Sequence, residues 1–216
     1  MSERARVESV NVGAKRTVEW GGRMVETGIW KNPLEGPVSI SGVNLAGDDQ
    51  ADRRVHGGPD KAVYAYSSAD YQFWSDALGT DLEPGTFGEN LTVSGLDLEG
   101  AQVGERWRVG TATLEVTQPR LPCYKLGIRM GDATFPDRFD DEGRLGVYLR
   151  IQEEGTLQAG DEIELIHRPD HGLTAYDIAR SYPDPSPDMV DLVLSVKAVP
   201  TGWRDWAVRA RGRSAG

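Results

Sequence analysis

The sequence predicts a mainly β protein with helices: a barrel or sandwich of short strands over residues 1–168, followed by a small three-helix unit over 169–216. Three observations carry this. Up to about Ile166, apolar and polar residues alternate in short runs broken by Gly, Asp and Pro. The chain holds 26 glycines, about 12% of its residues against a usual ~7%, and much of the excess sits at turns such as Gly104, Gly110, Gly155 and Gly160. From Thr174 onward the hydrophobic period changes from two to that of amphipathic helices.

The strands follow in order. Val63 and Ala65 alternate with Tyr64 and Tyr66, and Leu91 and Val93 with Asn90, Thr92 and Ser94. Leu114 with Val116, Val147 with Leu149 and Ile151, and Ile163 with Leu165 keep the same period. One helix interrupts them: Ser67 with Asp70 reads as a capping box, Tyr71, Trp74 and Leu78 follow at helical spacing, and Gly79 closes it in the left-handed conformation. Its aromatics are read as core. In the helical unit Thr174 is an N-cap with Asp177 three residues on, Leu173 staples onto Ile178, and Pro183 stops the helix. Ser186-Pro187 starts a second helix with Met189, Leu192, Val193 and Val196 on one face. Thr201 opens a third, along which Trp203, Trp206, Ala207 and Ala210 line up. Its Arg204, Arg209, Arg211 and Arg213 form either a solvated face or a docking surface.

Composition excludes several classes. The 216 residues carry 24 Lys+Arg against 34 Asp+Glu, a formal charge of -10. Non-specific nucleic-acid binding depends on neutralising phosphates, so an acidic chain argues against it, and any anionic ligand needs a local basic pocket. Met1–Val10 holds no apolar signal core, and the longest apolar stretch, near Met189, is broken by Asp191, so neither secretion nor a membrane span is expected. One Cys and three His preclude an intrachain disulfide and would all have to converge for a structural zinc site. A reducing, cytoplasmic setting is the expectation.

Three segments can carry chemistry. In Thr117-Gln118-Pro119-Arg120-Leu121-Pro122-Cys123-Tyr124-Lys125 two prolines stiffen the support of the sole thiol and exclude a helix across it. If the extended geometry continues, Cys123 and Lys125 project to one side. Neighbouring cations favour thiolate, the form that attacks or ligates; the alternative is a buried structural Cys. In Arg53-Arg54-Val55-His56-Gly57-Gly58-Pro59-Asp60-Lys61 paired glycines present amide groups beside His56 and Lys61. This suits an oxyanion, or is simply a loop turning into a strand. It has neither P-loop spacing nor a GxGxxG fingerprint. In Gly85-Thr86-Phe87-Gly88-Glu89-Asn90-Leu91 the Asn90 amide offers a donor and an acceptor to a heterocycle edge. Glu89 is a base or the partner of a buried Arg, unless the run is only a glycine turn. No GxSxG elbow, HExxH or kinase motif is present.

In this order, "VHGGPDKAVYAY", "GTFGENLTVSGL", "VGERWRVGTATLEVTQPRLPCYKL" and "GVYLRIQEEGTLQAGDEIELIHR" resemble the MOSC domain, named for the C-terminal region of molybdenum cofactor sulfurase. The similarity is to its bacterial YiiM-type branch, whose members add a short helical C-terminal domain, and covers roughly residues 5–213. The resemblance implies a MOSC-type β-barrel binding the molybdenum cofactor, a molybdenum ion held by the dithiolene of a phosphorylated pterin. Cys123 would complete the metal's coordination, and His56, Gly57, Lys61, Asn90 and Arg120 would surround the pterin or the metal's oxygen ligands. Lys31 in "TGIWK" matches a family Lys, and Lys125 follows the Cys as in relatives. Nothing is carried over for Ile128–Gly146. A soft thiolate suits molybdenum in a sulfur-rich site, so one Cys suffices when the cofactor brings the other sulfurs.

The implied activity is reduction of N-hydroxylated compounds, such as N-hydroxylated purine base analogues, to amines, with electrons from a separate reductase, since one Cys cannot hold an iron-sulfur cluster. Two other functions fit the same residues: a cofactor carrier or chaperone without turnover, and a metal-free cysteine enzyme with His56 as base to Cys123.

Overall fold

Among residues 4–51 and 57–214, which the structure, a computed structural model, describes, the chain forms thirteen strands and six α-helices. The strands are β1 (Arg6–Val12), β2 (Arg16–Trp20), β3 (Arg23–Thr27), β4 (Asn32–Pro33), β5 (Val38–Ser41), β6 (Asn44–Leu45), β7 (Val63–Ser67), β8 (Leu91–Ser94), β9 (Arg106–Val109), β10 (Ala112–Pro119), β11 (Val147–Glu153), β12 (Gly155–Leu157) and β13 (Ile163–His167). The helices are α1 (Ser68–Leu78), α2 (Tyr124–Met130), α3 (Phe135–Asp141), α4 (Ala175–Ser181), α5 (Pro187–Ser195) and α6 (Thr201–Ser214).

Eight strands make one sheet in the order β13-β9-β10-β11-β7-β8-β1-β4, antiparallel except for the β7–β8 pair. It curls towards itself: Ile163 N donates to Ala5 O (2.8 Å), Val7 N to Asp161 O (2.9 Å) and Gly160 N to Val7 O (2.8 Å), so β1 meets the turn that leads into β13. Backbone groups at a curled sheet's edge find partners this way instead of templating another chain. The barrel-like shape expected from the strand pattern follows.

Strand β10 is the central element, with all eight residues buried. Leu114 and Val116 face the core, while the intervening polar residues are satisfied within the protein: Glu115 pairs with Arg106 (2.9 Å) and Arg150 (3.3 Å), and Thr117 Oγ1 donates to Asp60 O (2.7 Å) and Tyr148 O (3.0 Å). Burial on both faces arises because α4 packs on β10 from outside. Helix α4 is shared between two apolar clusters. Its Ala175 and Tyr176 join the main core, and its Ile178 joins Leu173, Val190, Val193, Val196, Trp206, Ala207 and Ala210 around Val103 of the sheet region.

Local chemistry largely explains the ends of the helices. Thr174 and Asp177 form the expected reciprocal capping box, and Ser186 caps α5 with Pro187 at its first position. Gly79 closes α1 at φ 65°. The box expected at Ser67 is not made: Ser67 accepts from Ala69 N, and Asp70 instead pairs with Arg144 at 2.5 Å.

The larger correction lies between Cys123 and Asp141. Extended geometry was expected across Cys123–Lys125, with a single helix before Ile166. Instead α2 and α3 occupy this stretch. Pro119 and Pro122 hold the upstream chain extended, but Cys123 (φ −138°, ψ 169°) is already the N-cap residue of α2, so helical geometry begins one residue later. Phe135 and Phe139, one turn apart on α3, pack under Trp74, with the Trp74 and Phe139 rings stacked at 5.4 Å. That apolar spacing stabilises a helix too short and too punctuated by Gly and Pro to stand out by period.

Candidate active site

The three segments singled out in sequence converge on one cavity. Lys31, Lys61, Asn90, Arg120, Cys123 and Lys125 all line it. A second, outer groove lies between the sheet and α6, lined by Gly57, Gln118, Tyr182, Trp203 and others, and shares Lys61, Leu121, Cys123 and Tyr148 with the inner cavity. Cys123 therefore stands where two cavities meet. His56 lies outside the described residues.

Arg120 is the dominant feature of the inner cavity. Its side chain follows β10, is buried and, among the described residues, has no carboxylate partner: Nη2 donates only weakly to Phe87 O (3.4 Å), and Nη1 is buried without a hydrogen-bond partner. The guanidinium rests on aromatic rings, 5.2 Å from the Phe139 centroid and 5.5 Å from that of Tyr64. Stacking offsets part of the desolvation cost but does not replace the missing acceptor. An unpartnered buried guanidinium beside a cavity is a binding group for an anion.

Lys61 and Lys125 add positive charge to the cavity that Cys123 also lines. Lys61, from the single turn Pro59–Lys61, lies 5.7 Å from the Tyr148 ring, and burial lowers its ammonium below the ordinary lysine value against the pull of Asp60 and Cys123. Thr117 and Gln118 of β10 hold this turn through the Asp60 carbonyl (2.7 and 3.1 Å), and Arg150 pairs with the Asp60 carboxylate at 2.7 Å. Cys123 itself is half-buried.

Two predicted residues line the cavity and also make bonds within the protein. The Lys31 ammonium is held by the Asp48 carboxylate, and both amide hydrogens of Asn90 are donated, to Asp48 Oδ2 (3.0 Å) and Asn11 O (3.3 Å), while its Oδ1 accepts from Tyr64 N (3.1 Å). Asn90 thereby helps build the cavity floor, while the Lys31 ammonium, with three donors, also faces the cavity it lines. Sequence reasoning missed Asp48, which organises them both and also accepts from Gly13 N at 2.9 Å. Its only signal is an acidic pair, Asp48-Asp49, in what reads as a polar turn.

Glu89 is neither an exposed base nor the partner of a buried Arg. It is fully buried and accepts from Tyr71 Oη, Gly85 N (2.6 Å) and Thr92 Oγ1 (2.8 Å), tying the glycine turn to α1 and β8. The turn needs its glycines: at Gly85 (φ 86°) a Cβ would lie 2.5 Å from Lys31 O.

The donor set suits the group that the sequence resemblance implies. One thiol, an unpartnered buried guanidinium and two lysines match a metal that brings its own sulfur ligands on an anionic organic carrier. Among the described residues no cluster of three or more His, Cys, Asp or Glu side chains is placed to hold a metal alone. Nor, among those residues, is any helix long and apolar enough to cross a membrane.

Comparison with known proteins gives the same direction. A family model described as the MOSC domain matches residues 52–164. An uncharacterized protein, YflK, of Bacillus subtilis is 37% identical over 98% of this chain and 96% of its own length. A protein named reductase from Gibberella moniliformis is 33% identical over 68% of this chain, which spans only 27% of that protein. Among solved structures, YiiM from Geobacillus stearothermophilus superposes with a TM-score of 0.80 at 28% identity, covering 95% of this chain and 98% of that one.

Proposed function

The chain belongs to the MOSC domain family, and on that premise we propose that it is a molybdenum-cofactor-dependent reductase converting N-hydroxylated compounds, such as N-hydroxylated purine base analogues, to amines. The observation that carries the reading is the position of Cys123 between an inner cavity with an unpartnered buried Arg120 and an open outer groove. The similarity to a protein named reductase supports the reaction class.

The balance is R–NHOH + 2 e⁻ + 2 H⁺ → R–NH₂ + H₂O: the N–O bond breaks, nitrogen is reduced, and the hydroxyl oxygen leaves as water. When bound, the cofactor would supply the two-electron chemistry and the dithiolene sulfurs. Cys123 Sγ would ligate the metal, Arg120 would hold the cofactor's anionic groups, and Lys125 would add to the local positive field. Lys61, lowered by burial and lining both cavities, would donate a proton towards the departing oxygen. Electrons must come from a separate reductase, because the single Cys cannot ligate a cluster as well. Lys31, Asp48 and Asn90 keep the cavity floor in shape.

The test is Cys123→Ser, purified beside the wild type from cells that make the cofactor. Wild type should carry about one molybdenum per chain and, given an artificial reductant, form the amine; the variant should lose the activity and retain less metal. Equal reduction of the hydroxylamine by both proteins would sink the reading, and a wild type that binds molybdenum but never forms amine would identify a carrier instead.

A further inference from the structure

The outer groove has more binding chemistry than a bare N–OH group needs. Its volume, about 980 Å³, is at the upper end of the usual small-molecule range. Tyr182, half-exposed, and Trp203 meet edge to face at 5.7 Å, and Trp203 meets Trp206 in the same way at 5.4 Å. Trp203 Nε1 donates to Gln118 Oε1 (2.8 Å) and Trp206 Nε1 to Pro183 O (3.3 Å). With both indole N–H groups satisfied, the tryptophans are held in orientation, and Tyr182 and Trp203 offer apolar ring faces to a planar partner.

Arg209 and Arg213 line the same groove, four residues apart on one face of α6. Neither makes a hydrogen bond or ion pair among the described residues, whereas on the same helix Arg204 donates to Val196 O and Arg211 pairs with Asp191. Of the described carboxylates at the groove, Asp60 is taken by Arg150 and only Asp184 stands opposed. In a chain of net charge -10, two unpaired arginines beside an aromatic wall point to an anionic ligand with a flat ring.

Resting on the reductase reading, we propose that the groove takes its N-hydroxylated heterocycle as a phosphate-bearing nucleotide in preference to the free base or nucleoside. The base stacks on the wall formed by Tyr182 and Trp203 with its N–OH towards Cys123, and the phosphate is held by Arg209 and Arg213. The inner, Arg120-lined cavity is left to the cofactor.

Equilibrium dialysis with unreactive AMP and adenosine tests this without turnover. AMP should bind the wild type at least about tenfold more tightly than adenosine, as expected for charge-assisted hydrogen bonds to phosphate. R209Q/R213Q should close that gap and leave adenosine binding unchanged, while R211Q, off the groove, should keep it. Both variants alter exposed positions, and circular dichroism checks their folding. Equal binding of AMP and adenosine overturns the proposal. So does a gap that survives R209Q/R213Q, since the phosphate would then be held by other cations, such as Lys61 or Arg120. If the gap behaves as expected but no N-hydroxylated nucleotide is reduced by the molybdenum-loaded protein, the reductase reading falls and the nucleotide groove stands.

Discussion

The Lys31 ammonium and the Asp48 carboxylate form an ion pair at the cavity floor, with side-chain exposures of 8% and 1%. Burial lowers the Lys31 ammonium and Asp48 opposes the shift, so each charge is tolerated because of the other. Asp48 →Asn should therefore cost about 3–5 kcal/mol, the usual penalty for leaving a buried charge without its counterion. K31M/D48N should recover only part of that loss: no lone charge remains and the Asn oxygen can still accept from Gly13 N, but the new amide nitrogen then faces the Asn90 Nδ2 donor that Asp48 Oδ2 had accepted. Urea unfolding of the four proteins of the cycle measures the coupling; strictly additive losses would show that the pair contributes nothing jointly.

Arg120 makes the opposite case, a buried cation without a counterion among the described residues. Arg120→Met should stabilise the cofactor-free protein by removing a desolvated, half-satisfied guanidinium, by about 1 kcal/mol or more, with each kcal/mol raising the thermal midpoint ~2–4 °C in a chain of this size. The same protein made in cofactor-competent cells should retain much less molybdenum. Differential scanning calorimetry and elemental analysis read the two effects. A lower midpoint for the variant would mean that the contacts with Tyr64, Phe139 and Phe87 outweigh the unpaired charge.

The uneven legibility of the site has a physical basis. Arg120, Cys123 and Lys125 are neighbours in sequence, and the strand preceding them sets their place, so their grouping was readable. Asp48 was not, because its partners Lys31 and Asn90 lie 17 and 42 residues away and only the fold brings these loop residues together. Glu89 was ambiguous for a related reason: its donors Tyr71, Gly85 and Thr92 belong to three different elements. Strands β7, β8, β10, β11 and β13 and the capped helices were visible in periodicity, but β1–β6, β9 and β12 were not singled out there, and α2 and α3, seven residues each, depend on tertiary contacts of Leu126, Phe135 and Phe139.

Gly85 and Gly79 separate backbone strain from collision. Both have positive φ, but a Cβ on Gly79 meets nothing within 4 Å, whereas one on Gly85 would strike Lys31 O at 2.5 Å. Gly79→Ala should cost only the left-handed conformation, about 1–2 kcal/mol. Gly85→Ala should cost clearly more and, by pushing the chain at Lys31, should also reduce molybdenum retention, which Gly79→Ala should leave alone. Equal losses in urea unfolding would mean that the Lys31 backbone yields freely.

Glu89 predicts a pH dependence with a definite sign. Burial raises its carboxyl above the ordinary value of 4.5, against the opposing bonds from Tyr71, Gly85 N and Thr92. The folded protein thus holds this proton to higher pH than the unfolded chain does. Through that window the native state binds more protons, so the contribution of Glu89 to unfolding free energy is fully present below the unfolded value and declines as pH rises towards the folded one. Glu89→Gln keeps an acceptor at Oε1 for all three donors and puts a neutral amide where Oε2 is buried without a partner. Any constant cost of that amide cancels when the stability difference between variant and wild type is followed across pH. The difference should shift in favour of the variant as pH rises from about 4.5 and then level off once the wild-type carboxyl has ionised, because other carboxylates titrate alike in both proteins. Denaturation at several pH values between 4.5 and 8 measures this, and a difference that stays constant would show that Glu89 has the same proton affinity folded and unfolded.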